Sequence, residues 1–191
     1  LFGLGVMENC EVKKNRIQIL PWFHNQEILC EKITNIPKQL VIGFVGRISP
    51  EKGLHTLLEE LTKVDAVFPV VLKIAGGIDS DYGKELYSKY KDSAGKNKVE
   101  WLGWIPNEKL KIFYENISLT VVPSLCFETG PLSMIESLAH KRPVLCTDIA
   151  PMMWLNEKYG TGHHFIYNKE RDLANNLEEI ANDLSIIPKL S

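Results

Sequence analysis

Two carboxylates lie where a ligand would meet the end of a predicted strand. Glu128 and Glu136 are eight positions apart, and the apolar segment 119–122 precedes them. Proline is favoured at the first helical position, so a helix that begins near Pro131 would leave Glu128 in a loop and Glu136 in the second turn. Ligands of open α/β sheets bind beyond the carboxyl ends of the strands. We therefore predict that both carboxylates face one crevice.

Two cations lie in a second loop, which also follows an apolar segment. Arg47 and Lys52 are placed between Gly46 and Gly53, and leucines at helical spacing follow. Glycine lets backbone amides approach a ligand, and the N terminus of a helix adds partial positive charge. Arg47 can meet two phosphate oxygens at once, while Lys52 supplies a point charge. The loop predicts a diphosphate site, and solvated loop charges are the open alternative.

The acidic segment is suited to a different part of a ligand. A carboxylate repels a diphosphate, but it can accept hydrogen bonds from the vicinal hydroxyls of a ribose or another sugar. The backbone amides of Thr129 and Gly130 precede the predicted helix and can hold phosphate oxygens, whereas Pro131 has no N–H. Apolar neighbours indicate a largely buried helix, which favours a ligand role for Glu136. A capping charge at Glu128 and an exposed ion pair at Glu136 stay open as alternatives.

The remaining pattern predicts the sheet that positions these loops. Apolar segments alternate with amphipathic ones from residue 41 onward, which is typical of a parallel sheet wound with helices. The predicted strands are residues 41–46, 70–75, 99–102, 119–122, 144–147 and 165–167, and a last helix covers about residues 170–184. We predict an α/β fold with a Rossmann-like, doubly wound parallel sheet. Residues 1–20 are predicted to be a linker and edge strand, and residues 21–191 a single domain.

The composition restricts the class of partner and compartment. The 191 residues are 45% hydrophobic, which suits one domain with a sizeable core. Lysine and arginine number 22 against 24 acidic residues, so no basic surface favours nucleic acid. The four cysteines lack disulfide or zinc spacing, and no membrane span or signal peptide is predicted. We expect a cytoplasmic protein, and the start at a leucine indicates a fragment.

Other conspicuous residues receive mainly structural interpretations. His163 and His164 alternate between the faces of a strand, so we predict surface positions rather than metal ligands. Trp101 and Trp104 are predicted to be core residues; stacking platforms for a base are the open alternative, which suits Trp104 better than Trp101. We predict neither a metal nor a cofactor.

Three motifs, in this order, resemble the C-terminal domain of GT-B retaining glycosyltransferases of family four, the glycosyl transferases group 1. The motifs are the segment 44–54, the pair of Glu128 and Glu136, and the segment 142–145. The resemblance covers about residues 17–184. It implies one half of a GT-B fold that binds a nucleoside diphosphate sugar. An amino-terminal half upstream would bind most of the acceptor.

The resemblance also implies a role for each site residue. Arg47 and Lys52 would contact the donor diphosphate, and Glu136 would hold the ribose. Glu128 would lie beside the transferred sugar, and the backbone of the turn at 103–105 would contact the nucleobase. The implied catalytic residues are Glu128, Arg47 and Lys52. The implied donor-binding residues are Gly46, Arg47, Lys52, Gly103, Trp104, Ile105, Glu128, Thr129, Gly130, Pro131, Leu132 and Glu136.

Two positions depart from the family pattern. The first acid is followed by Thr-Gly-Pro, whereas the family often has Gly-Phe-Gly or x-Phe-Gly there, so contacts with the donor sugar are expected to differ. Small residues often follow the position of Ala139, but this chain has His140 and Lys141 there. We expect these two residues to be solvated.

The resemblance implies a retaining glycosyltransferase that uses a saccharide or lipid-linked acceptor in polysaccharide or glycoconjugate synthesis. Retention is ascribed to attack on the face from which the diphosphate departs, with a phosphate oxygen taking the acceptor proton. Two alternatives stay open: half of a sugar-nucleotide epimerase or glycosyl phosphorylase, and a non-catalytic nucleotide-binding module. We expect the chain alone to be inactive, in the cytoplasm or at the inner face of the membrane.

Overall fold

A seven-stranded sheet organises residues 31–127, 131–159 and 162–190, which are the residues that the computed structural model describes. The strands are β1 (Val41–Val45), β2 (Val71–Ala75), β3 (Ser93–Ala94), β4 (Asn97–Gly103), β5 (Leu119–Val122), β6 (Val144–Thr147) and β7 (Gly162–Phe165). The helices are α1 (Leu54–Lys63), α2 (Asp81–Lys89), α3 (Asn107–Glu115), α4 (Leu132–Ala139), α5 (Ala150–Tyr159), α6 (Asp172–Asn182) and α7 (Ile186–Leu190). The predicted α/β fold is confirmed. The linker and edge strand predicted at 1–20 lie outside the described residues.

The winding direction of the sheet changes at β1. From edge to edge the order is β3-β4-β2-β1-β5-β6-β7. The chain moves outwards from β1 through β2 to β4, and then returns to β5 on the other side of β1. Neighbouring strands are parallel, except that β3 pairs antiparallel with β4. Ligands of doubly wound sheets bind at such a reversal, which here lies between the loops that follow β1 and β5.

The alternation of side chains along β1 separates two layers of core. Ile42 and Phe44 belong to the cluster formed with α1 and α6. Val41 and Val45 lie on the opposite face and pack with the apolar side of α3. Helices therefore cover both faces of the sheet, as a buried parallel sheet requires.

Helix α1 forms as its leucine spacing predicts. Leu54, Leu57, Leu58 and Leu61 are all fully buried. Burial of each such side chain is worth about 1.5–3 kcal/mol relative to exposure. This apolar face holds α1 against the sheet and so fixes the position of the loop that precedes it. None of the helices in the described ranges is long and apolar enough to cross a membrane.

Three details of the chain differ from the sequence prediction. The two-residue strand β3 was indicated by no pattern. Strand β7 ends at Phe165 instead of beginning there, because the Asp172 carboxylate accepts a hydrogen bond from the Ile166 N–H (2.8 Å) and holds it outside the ladder. The helix predicted at about 170–184 corresponds to α6, which ends at Asn182, where the Asp183 side chain accepts a hydrogen bond from the Ser185 N–H, and the separate helix α7 beyond it was not predicted.

Asn97 joins three elements at the end of the sheet opposite the candidate site. Its side chain is buried, with 1% exposure. Its Oδ1 accepts from the Val70 N–H (2.8 Å), and its Nδ2 donates to the carbonyls of Leu61 (2.8 Å) and Val64 (3.2 Å). The amide therefore pairs with backbone groups at the end of α1 and before β2, where the Leu61 carbonyl also accepts from the Val64 N–H (3.3 Å).

Asn97→Ala is expected to destabilise the domain by about 3 kcal/mol, because each buried polar group left without a partner costs about 1–3 kcal/mol. Asn116→Ala is the matched control, since the exposed Asn116 makes one hydrogen bond to a carbonyl of its own helix. That control is expected to cost about 0.5 kcal/mol or less. Urea unfolding measures both. An equal decrease in the free energy of unfolding for the two variants would contradict the role assigned to Asn97.

Candidate functional site

The loops after β1 and β5 are in direct backbone contact. The Leu125 N–H donates to the Glu51 carbonyl at 2.8 Å. Gly53 has a left-handed φ of 67°, and a Cβ atom at this position would lie 1.9 Å from the Pro123 carbonyl oxygen. Glycine is therefore needed at position 53 both for the backbone conformation and for the close approach. This contact places the loop of the two cations against the segment that leads into Glu128.

The loop of the cations turns directly into the N terminus of α1. A short 3-10 turn covers Pro50–Lys52, and Gly53 then precedes the first residue of the helix. Backbone N–H groups at a helix N terminus favour an anion. Lys52 is half-buried in this turn. The loop thus brings formal charge and helix-terminal amides to the carboxyl edge of β1.

Arg47 extends into solvent from this loop. Its side chain is 80% exposed, and Nη2 lies 3.5 Å from Glu51 Oε1. The Ser49 hydroxyl donates to the same carboxylate oxygen at 2.6 Å. This hydrogen bond is the main reason that the pKa of Glu51 is lowered, and the charges of Arg47 and Lys52 act in the same direction. An exposed ion pair is weak, so an anionic ligand can compete with Glu51 for the guanidinium.

The acidic helix α4 is anchored to β5 by polar groups. Its N-cap is Pro131, so the helix begins one residue later than the proline rule predicts. Glu136 lies in the second turn, as predicted, and is partly buried. The Ser137 hydroxyl is buried at 2.6 Å from Thr120 Oγ1. Leu132, another predicted donor contact, is 49% exposed at the start of the helix.

The turn after β4 lies at the same edge of the sheet. The Gly46 N–H donates to the Ala75 carbonyl (3.0 Å), and the Gly76 N–H donates to the Gly103 carbonyl (2.9 Å). These bonds link the loops after β1, β2 and β4. The structure therefore brings the predicted base-contacting turn and the predicted diphosphate loop to the same edge of the sheet, where these strands end.

Trp104 occupies a different environment from the one predicted. Its side chain is 75% exposed just beyond the end of β4, so the core assignment is wrong for this residue. Trp101 is partly buried and donates through Nε1 to the Tyr90 carbonyl at 3.0 Å, in agreement with a structural role. Ile105 packs against the cluster beneath α3. Glu128, Thr129 and Gly130 lie outside the described residues.

Sequence reasoning missed a group of side chains between α3 and α4. Tyr114 is fully buried on α3, and its hydroxyl lies 3.4 Å from Glu136 Oε2. Burial, followed by the charge of Glu136, raises the pKa of Tyr114 well above its usual value. His140 is 4% exposed and stacks on the Tyr114 ring at 4.6 Å, so its predicted solvation is wrong. No spacing within one element could indicate a contact between two separate helices.

Two further predictions concern cysteine and histidine. Cys126 and Cys146 are free thiols. Burial, with a contribution from the charge of Asp148, raises the pKa of Cys146 to about 12, so this thiol is neutral and unreactive near pH 7. His163 and His164 are exposed on β7, as predicted. Over the residues that the structure describes, no group of three or more histidine, cysteine, aspartate or glutamate side chains could hold a metal ion.

Comparison with known families and proteins gives consistent matches. The family model described as "Glycosyl transferases group 1" matches residues 25–186. An uncharacterized glycosyltransferase from Methanocaldococcus jannaschii is 26% identical over 162 residues, which are 81% of this chain and 40% of that protein. The chain thus spans about two fifths of the length of this curated relative.

Solved structures show the same fold. The sucrose-phosphate synthase from Thermosynechococcus elongatus superposes with a TM-score of 0.67 and 25% identity, over 80% of this chain and 39% of that chain. HepE from Anabaena, crystallised with UDP and glucose, gives 0.65 and 22%, over 80% and 41%. The C-terminal domain of the group 1 protein LpcC from Francisella tularensis gives 0.62 and 22%, over 81% and 82%. The described fold therefore corresponds to one domain of these larger proteins.

Gly53→Ala tests the contact that joins the two loops. An alanine in a left-handed conformation costs about 1–2 kcal/mol. The matched control is Gly103→Ala, because Gly103 has a φ of 69° but a Cβ atom there would meet nothing within 4 Å among the described residues beyond its chain neighbours. Overpacking at position 53 is expected to add about 1–3 kcal/mol beyond the control. Urea unfolding compares the two variants, and equal destabilisation would show that the close approach to Pro123 is unimportant.

Proposed function

This chain belongs to the glycosyl transferases group 1 family, and we propose that it is the donor-binding half of a retaining GT-B glycosyltransferase. The observation that carries this proposal is the contact between Gly53 and Pro123. It brings a doubly cationic loop and the segment leading into an acidic helix to the point where the winding of the sheet reverses. The two parts of that site suit a ligand with an anionic portion and a hydroxyl-rich portion.

The proposed ligand is a nucleoside diphosphate sugar. Arg47 and Lys52 contact the diphosphate, assisted by the N-terminal amides of α1. Glu136 accepts hydrogen bonds from the ribose hydroxyls, and the turn at 103–105 contacts the base. HepE from Anabaena was crystallised with UDP-glucose, so uridine diphosphate sugars are the first donors to test.

The proposed reaction moves the sugar with retention of its anomeric configuration. The acceptor hydroxyl attacks the anomeric carbon as the bond to the diphosphate oxygen breaks, on the same face. The acceptor proton passes to an oxygen of the departing diphosphate. Arg47 and Lys52 stabilise the negative charge that develops on the leaving group. Glu128 orients the transferred sugar and stabilises the positive charge at its anomeric carbon.

The acceptor and the partner domain are further parts of the proposal. An amino-terminal half of a GT-B protein binds most of a saccharide or lipid-linked acceptor across the crevice from the carboxyl edge of β1. The transferred sugar becomes part of a polysaccharide or glycoconjugate. The reaction takes place in the cytoplasm or at the inner face of the membrane. The two cations, rather than a metal, neutralise the leaving group, and the chain alone does not transfer sugar.

Nucleotide binding to this chain tests the donor site. Calorimetric titration with UDP, GDP and ADP is expected to identify one tight ligand. Arg47→Ala and Glu136→Ala should each weaken it about tenfold or more, because hydrogen bonds to charged groups are worth about 1.5–3 kcal/mol. Lys98→Ala is the control, since Lys98 is exposed near the start of β4 and pairs with Glu100. If neither Arg47→Ala nor Glu136→Ala changes nucleotide affinity, the result would instead support a binding module with a different ligand site.

Glu128→Gln tests the proposed catalytic carboxylate in a protein that carries both halves. The substitution is expected to reduce kcat by about 100-fold or more, in the range seen when one electrostatic stabiliser of a transition state is removed. Affinity for the nucleoside diphosphate should stay unchanged, because Glu128 contacts the transferred sugar. Nuclear magnetic resonance of the first-formed product reports its anomeric configuration. An inverted product, or full turnover by Glu128→Gln, would refute this mechanism; Glu115→Gln on α3 is the control.

A further inference from the structure

We propose that Tyr114 is a positioning residue for Glu136: its buried hydroxyl holds the carboxylate in the orientation that binds the ribose. This inference rests on the proposed function of Glu136 as the ribose-binding acid. Helix α3 contributes no predicted contact with the donor, and through Tyr114 it would support a residue that does. The geometry that supports it lies in the interface between α3 and α4.

The hydroxyl of Tyr114 lies against two acceptors on α4. It is 3.4 Å from Glu136 Oε2 and 3.5 Å from the Ser133 carbonyl oxygen. A carboxylate and a carbonyl both accept and cannot donate, so the phenol is the donor to either. Both contacts are long for O–H···O hydrogen bonds, and the carboxylate is the nearer acceptor. The hydroxyl therefore restrains one oxygen of Glu136 from the side of the protein core.

The phenol of Tyr114 keeps its proton near neutral pH. Tyr114 is completely buried, and burial together with the neighbouring carboxylate raises its pKa well above the usual value. A tyrosine in this state is a permanent donor. The hydroxyl therefore stays a donor through the working pH range, because the phenol does not titrate there.

The ring and backbone of Tyr114 are themselves held in place. The imidazole of His140 stacks on the ring at 4.6 Å with 16° between the planes. Phe113 meets it edge-on at 5.4 Å. The carbonyl of Tyr114 accepts from Arg142 Nε at 2.6 Å, and Arg142 is itself buried. A donor fixed on its ring and its backbone can restrain a flexible glutamate.

The restraint has a definite consequence for binding. A glutamate side chain loses rotamer freedom when it binds a ligand, and a side chain that is already oriented loses less. Loss of the phenol should therefore weaken ligands that reach Glu136 and leave others unaffected. A nucleoside diphosphate reaches the ribose site, whereas inorganic pyrophosphate reaches only the loop of Arg47 and Lys52.

A double-mutant cycle on this chain tests the inference with UDP and pyrophosphate as probes, or with GDP or ADP if one of these proves the tighter nucleotide. Tyr114→Phe keeps the buried ring and is expected to weaken nucleotide binding about three- to tenfold, as for one newly mobile side chain. In the Glu136→Ala background the same substitution should change nucleotide affinity by less than about 1.5-fold, because the hydroxyl then has no carboxylate to orient. Pyrophosphate affinity should be unchanged in every variant. Tyr90→Phe is the control, since Tyr90 is also a buried tyrosine but packs in the core on the other face of the sheet.

The outcomes separate the two proposals. One outcome is that Glu136→Ala weakens nucleotide binding but Tyr114→Phe does not. Another is that Tyr114→Phe weakens nucleotide binding equally with and without Glu136. Either outcome overturns the positioning role and leaves the donor site standing. If wild-type protein binds no nucleotide, or Glu136→Ala binds it normally, both proposals are overturned. Should Tyr114→Phe fail to fold, His140→Leu serves instead: it removes the stacked ring and should weaken the nucleotide only when Glu136 is present.

Discussion

The close approach of Gly53 to the carbonyl of Pro123 determines where the parts of the candidate site lie. Strands β1 and β5 are direct neighbours, with Ile42 opposite Leu119, so the loops that follow them leave the sheet side by side. A side chain at position 53 would separate those loops. Because the glycine permits contact, a short backbone hydrogen bond from Leu125 to Glu51 can form as well. The cationic loop and the segment that leads into the helix of Glu136 then lie side by side.

Charge is divided between two separate elements of the candidate site. Arg47 is exposed on a loop, where its ion pair with Glu51 is screened by water and can be exchanged for a ligand. Glu136 is sheltered on a packed helix, where a buried hydroxyl restrains it. These two environments suit different kinds of contact. An exposed guanidinium can exchange one anion for another, whereas an oriented carboxylate suits hydroxyl groups of fixed geometry.

Buried polar contacts hold the helix that carries Glu136 and the segment that follows it. Ser137 lies against Thr120 of β5 inside the core. Arg142, just before β6, donates to the last turn of α3 at the carbonyl of Tyr114. Buried polar groups need such partners, and these hydrogen bonds have few alternative arrangements. The orientation of α4 is consequently specified by more than apolar packing, which tolerates small shifts.

Periodic patterns along the chain determined the fold class and the edge at which the site lies. The leucines of α1 recur at helical spacing because one face must be buried, and the apolar strands are continuous because both faces of the sheet are covered. Those signals are local, so they could be read from neighbouring residues, and the candidate residues Arg47, Lys52 and Glu136 followed from their places after strands.

Tertiary structure alone decided the contacts between distant segments. Position 53 meets position 123, and Tyr114 meets both Glu136 and His140, through packing between elements that no repeat along the chain connects. The same reason explains the exposed Trp104 and the early end of β7. Solvent access at a loop, and the approach of a carboxylate from the start of α6, depend on how the elements assemble. Local periodicity reports which face of an element is buried. It carries no information on which partner buries it.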